Sequence, residues 1–263
     1  MIIDIITSFV TQIAFTLGSI IPFGFLIGLC NKLFYRNMGI FGKACCYITG
    51  FLGTPVHELS HALMCLIFGH RITEIKLFQI NSDDGTLGYV NHSYNPKNFY
   101  HKIGNFFIGI APITVISLLL YLLSLVLVPN MFELMFSRTA SGTFSISGIF
   151  DSLGFALEVF FSYSRSITWW LFIIISTCLA LHMTLSLADI KGALSGLSLT
   201  LCVFLIIDVA LAIIDSGLLL SFTSFCVRIG SYFFSVMLMA FSFSVVAVLL
   251  SFAFKLMLRK KLG

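Results

Sequence analysis

The chain has 263 residues, 59% of them hydrophobic and only 10% charged, with a formal net charge of +4. Soluble domains carry about 25% charged residues, so this composition cannot cover a soluble surface and suits lipid as the solvent. The basic residues are scattered apart from Arg259, Lys260 and Lys261, which excludes a nucleic-acid-binding face and reads as an anchor at a cytoplasmic membrane end.

A membrane crossing takes about 20 apolar residues. In chain order, the stretches that qualify are 5–30, 43–68, 103–128, 168–188, 194–214 and 232–257. They predict an all-α, polytopic membrane protein with about six transmembrane helices, built as one membrane-embedded domain over 1–263. Asp4 and the absence of a basic leader segment make the first run an uncleaved span. The most polar part of the chain, 71–102, holds strand-like runs at Ile75-Lys76-Leu77 and Leu87-Gly88-Tyr89. Between them, Asn81-Ser82-Asp83-Asp84-Gly85 is a turn signal, which predicts a small β-hairpin. The connector 129–167 reads as interfacial helix, and 215–231 as a short interfacial helix or an extension of the sixth span.

Counting Lys and Arg in the loops orients the chain. With the N-terminus inside, nine basic residues lie inside and six outside. Both termini and the polar segment are therefore expected on the cytoplasmic side, with the cell membrane as the location. The seven cysteines form no CxxC pair and read as small apolar packing residues.

The chemistry concentrates in Thr54-Pro55-Val56-His57-Glu58-Leu59-Ser60-His61. On a helix, His57 and His61 share a face and can bind one Zn²⁺ from the same side, with Glu58 beside them as general base. With six His in 263 residues, an accidental HExxH is expected only about 0.002 times. Ionisable groups inside an apolar span are also costly and mark functional sites. Gly50, Gly53 and Pro55 should loosen or kink this helix. A zinc site takes a third protein ligand and leaves one position open. Asp189 is the leading candidate, at the end of the fourth span, with His182 and Asp208 as alternatives. His70, His92 and His101 read as solvated or hairpin-bound.

The segment His57 to Lys76, HELSHALMCLIFGHRITEIK, resembles the site-2 protease family of intramembrane zinc metalloproteases. Gly109-Ile110-Ala111-Pro112 is similar to the small-residue Gly-Pro patch of that family. The resemblance implies His57, His61 and Asp189 as metal ligands, Glu58 as general base, one Zn²⁺ as cofactor and membrane-anchored proteins as substrates. Ala188-Asp189-Ile190-Lys191-Gly192 departs from the family's usual Leu-Asp-Gly, which marks a divergent branch. Two other readings stay open: a non-catalytic member of the same fold acting as a membrane chaperone or regulator, and a transporter. No partner besides substrate and lipid bilayer is indicated, and no oligomeric state.

Overall fold

The structure, a computed structural model, describes residues 1–80, 82, 85–136 and 146–262. Among them the chain is mostly helical. Helices α1 (Ile2–Thr16), α2 (Ile20–Met38) and α3 (Gly42–Ile67) precede strands β1 (Arg71–Lys76) and β2 (Tyr89–Ser93). Helices α4 (Phe99–Leu127), α5 (Met131–Phe136), α6 (Ile146–Ser162), α7 (Ile167–Leu181), α8 (Leu187–Ile214) and α9 (Ser216–Leu262) follow.

Among the described residues, four helical stretches are long and apolar enough to cross a membrane: Ile2–Ile67, Phe99–Leu127, Leu187–Ile214 and Ser216–Leu258. A fifth arises if Leu157–Arg165 and Ile167–Leu181, bent by 120° at Ser166, count as one span. The expected six are not confirmed by this count: the first two fall within the single Ile2–Ile67 stretch and the fourth within the bent pair. Ile2–Ile67 has 66 residues, about 99 Å of helix, far more than the ~30 Å of bilayer hydrocarbon. It turns at Gly39, whose φ of +56° suits a residue without Cβ. Beyond this turn α3 runs beside α2, and Tyr35 Oη lies 2.7 Å from Thr49 Oγ1. The connector expected as interfacial helix contains α5 and α6, and residues 137–145 lie outside the described ones.

Helices α1 and α2 run parallel to α9. Gln12 donates to Thr223 Oγ1 at 3.0 Å, the Phe23 and Phe234 rings lie 5.3 Å apart, and Asn37 donates to Ser251 Oγ at 3.2 Å. The partner numbers rise together, as they must for parallel helices.

Helix α4 is the central element and packs against α3, α7, α8 and α9. Its residues Ile113, Ile116 and Leu120 are fully buried. In helices apolar enough to cross a membrane, close van der Waals packing is what would hold such side chains together. Small residues make that packing possible. A Cβ on Gly109 would sit 2.4 Å from the Asp189 carbonyl oxygen, and one on Gly196 would sit 2.4 Å from that of Lys102. Backbone therefore meets backbone where α4 crosses α8. The outward faces stay apolar: Ile48 and Phe51 on α3 are 72% and 73% exposed.

The predicted hairpin is present. β1 and β2 pair antiparallel, with an irregularity between Ile72 and Glu74. The strands lie a few residues further from the turn than expected, at Arg71–Lys76 and Tyr89–Ser93. Residues 81, 83 and 84 of the predicted turn lie outside the described ones.

Candidate metal centre

Helix α3 carries the HExxH residues through its buried face: Glu58 and His61 are each 7% exposed. His57 Nδ1 lies 2.8 Å from the His182 carbonyl oxygen, and His61 Nδ1 lies 2.8 Å from that of Ile108. A carbonyl can only accept, so both Nδ1 atoms carry the proton, and both Nε2 atoms of the neutral rings keep a lone pair. The two Nε2 atoms are 3.2 Å apart. Lone pairs aimed at one point repel unless a cation or a proton lies between them.

The Asp189 carboxylate completes the group. Its Oδ1 lies 3.3 Å from His61 Nε2. The ligand atoms of His57, His61 and Asp189 all fall within 4.8 Å of one another. Ligands held about 2.0–2.1 Å from a tetrahedral zinc ion lie about 3.3 Å apart, so the three residues fit zinc. Each ligand also has the outer support that metal sites require. For the histidines this is a backbone carbonyl. For Asp189 it is a capping box, in which Asp189 Oδ2 accepts from the Ser186 N–H at 2.8 Å and the Asp189 N–H donates to Ser186 Oγ at 3.1 Å. Oδ2 is thus committed to the helix end and Oδ1 faces the histidines. Asp189 opens α8 instead of ending a span, and the positive helix N-terminus stabilises its charge.

The local sequence explains why those carbonyls are free. Pro112 lies inside α4 and has no N–H to give to the carbonyl four residues earlier, which belongs to Ile108. His182 is the C-cap of α7, where carbonyls lack helical partners. The sequence shows both features, but neither names its partner.

The alternative ligands have other places. The His182 ring lies against Gly53, where a Cβ would come within 2.5 Å of it, and its Nδ1 lies 3.1 Å from the Cys178 carbonyl. Gly50 and Gly53 therefore make room for neighbouring side chains, while α3 continues unbroken through Pro55. Asp208 is fully buried, and its Oδ1 accepts from Gln12 Nε2 at 2.8 Å. Neither residue belongs to the His57, His61 and Asp189 group.

The hairpin reaches this centre through its connecting segment. A Cβ on Gly88 would sit 2.8 Å from Glu58 Cγ and 2.9 Å from the Lys76 and Leu77 carbonyl oxygens. Among the hairpin histidines, His70 is buried and His92 half-buried. Burial is the main cause that holds both imidazoles below the ordinary pKa of histidine, with neighbouring imidazoles adding to it.

Residues 50–150 match a family model described as "Putative zincin peptidase". The match covers the HExxH part of α3, the hairpin and α4, while Asp189 lies beyond it. It points to a zinc metallopeptidase family. No curated protein and no solved structure matches the chain.

Proposed function

We propose that this chain is an intramembrane zinc metallopeptidase, of the site-2 protease kind, that hydrolyses peptide bonds of membrane-anchored protein substrates. The observation that carries the reading is the convergence of His57 Nε2, His61 Nε2 and Asp189 Oδ1 beside Glu58, within helices long and apolar enough to cross a bilayer.

Zinc bound there would supply Lewis acidity, the means of activating a water and a substrate carbonyl near neutral pH. His57, His61 and Asp189 hold it, each fixed in orientation by its backbone partner. Glu58 takes the proton of the attacking water and delivers it to the leaving amine. The buried helix face keeps bulk water away from the reacting atoms. A cavity of about 420 Å³, lined in part by Cys46, Tyr47 and Leu87, opens between the start of α3 and the hairpin loop. Leu87, which lines it, also lies beside Gly50, where an added Cβ would come within 2.9 Å of it.

A substrate must be read as extended chain, since helical carbonyls are tied up in internal hydrogen bonds. The hairpin supports strand addition as the means, because its outer edges can pair with a substrate backbone. Its connecting segment lies against Glu58 where that backbone would approach, so substrate entry displaces Leu87 and Gly88.

The test compares membrane-protein fragments in cells carrying wild type and Glu58→Gln. The variant should keep its zinc and lose cleavage. Identical fragments in both would sink the peptidase reading and leave a non-catalytic membrane chaperone or regulator of the same fold.

A further inference from the structure

Helix α3 ends in a capping motif that brings a second set of metal-binding side chains together. The Gly69 N–H donates to the Leu66 carbonyl at 3.3 Å and the His70 N–H donates to that of Cys65 at 2.8 Å. Gly69 has a φ of +70°. This is the Schellman arrangement, with glycine in the left-handed position. Its geometry lays the side chain just beyond the cap over the one a turn back in the helix, and that contact is ordinarily apolar. Here it joins His70 to Cys65, a fully buried free cysteine.

The hairpin adds His92. Ile72 pairs with His92 at the edge of the strand irregularity, and such bulges re-aim side chains. His92 Nδ1 lies 3.0 Å from His70 Nδ1. The other nitrogen of His70, Nε2, donates to the His101 carbonyl at 2.9 Å. The tautomer is therefore set: the lone pair of neutral His70 is on Nδ1 and points toward His92. The His70 ring is held in plane by stacking on Tyr94, with centroids 4.9 Å apart and planes 13° apart. The Cys65, His70 and His92 ligand atoms all lie within 4.8 Å of one another. A carbonyl-oriented imidazole is the outer support that metal-binding histidines usually have.

We propose that Cys65, His70 and His92 form a second zinc site, which staples the β-hairpin to the end of the HExxH helix. One thiolate and two imidazoles suit zinc and exclude the oxygen-seeking Mg²⁺ and Ca²⁺. Loading forms a bond from Cys65 Sγ to the metal and releases the thiol proton to water. Cys65 follows His61 by four residues, about 6 Å along the helix, so the staple anchors the hairpin one turn from the first centre. Neither HExxH nor the family match assigns these three residues a role.

Cobalt separates the two sites, because only this one contains sulfur. Tag-free full-length protein in detergent would be stripped with chelator and titrated with Co²⁺, and zinc would be counted in parallel. Wild type should show a thiolate-to-cobalt charge-transfer band and bind two zinc ions. A His57→Ala/His61→Ala variant should keep the band and one zinc. Cys65→Ser should lose the band and keep one zinc. His92→Ala, at a half-buried position that tolerates truncation better, should bind Co²⁺ at least about tenfold more weakly at the sulfur site. If Cys65→Ser keeps one zinc fewer than wild type while the double His variant loses none, the staple stands and the HExxH centre fails. Absence of the band in both wild type and the double His variant, or wild-type zinc content in Cys65→Ser, overturns the staple.

Discussion

His61 Nδ1 donates to the carbonyl of Ile108, the residue whose usual helical donor is removed by Pro112. A proline in the middle of the central helix thereby fixes the orientation of an imidazole of the candidate metal centre on its neighbour. Replacing Pro112 with Ala restores an N–H that competes for the carbonyl. Pro112→Ala should weaken zinc binding about tenfold, in line with losses of other supporting partners, while the fold is kept. A chelator-competition titration checks it; unchanged affinity would show that the imidazole needs no such partner.

The Asp189 carboxylate depends in the same way on Ser186. Ser186→Ala removes the capping hydroxyl, which should cost about 1 kcal/mol of stability and lower zinc affinity, because α8 then begins less firmly. Ser186→Thr should restore both. Melting temperature and zinc affinity, measured together on the two variants, decide the matter. A stability loss with no change in zinc affinity would limit Ser186 to capping.

Asp189 and Asp208 should separate cleanly. Asp189→Ala should reduce zinc affinity by more than about tenfold. Asp208→Ala leaves Gln12 Nε2 without its 2.8 Å acceptor, which should cost about 1–3 kcal/mol of stability with zinc content unchanged. Zinc analysis of both purified variants is the measurement. The opposite pattern would move the third ligand to Asp208.

Gly53→Ala drives a methyl group to within 2.5 Å of the His182 ring. Overpacking of this kind costs about 1–3 kcal/mol. It should also shift the His182 carbonyl that holds His57, so zinc affinity should fall with stability. A melting curve with and without zinc would show the stabilisation by the metal shrinking; an unchanged difference would argue against the coupling.

Gly88→Ala tests the segment beside Glu58, where the added Cβ would meet Glu58 Cγ at 2.8 Å. Displacing the base by about 1 Å can cost on the order of 100-fold in rate. Cleavage should therefore fall while zinc content stays at the wild-type level. Full activity in this variant would place the segment away from Glu58 during the reaction.

Local chemistry made part of this protein legible before any fold was known. The apolar composition pointed to long apolar helices, and the spacing of four between His57 and His61 put both imidazoles on one helical face. The polar run 71–102 announced a hairpin, because turn residues and β-branched residues act within a few positions of each other. The count of spans was harder to read. Apolarity marks what can enter a membrane, but a turn at Gly39 or a bend at Ser166 decides where one crossing ends. Only the tertiary structure decided which distant groups meet. The Ile108 carbonyl, freed by Pro112, could have faced lipid, water or any neighbour, and packing of α3 on α4 gave it to His61. Asp189 and Asp208 are both carboxylates in apolar surroundings, and it is the close contact of Gly109 with the start of α8 that brings Asp189 to the histidines. Cys65 looked like a packing residue because it sits in an apolar run and belongs to no CxxC pair. Its third companion, His92, arrives through strand pairing, a long-range contact that no local pattern encodes.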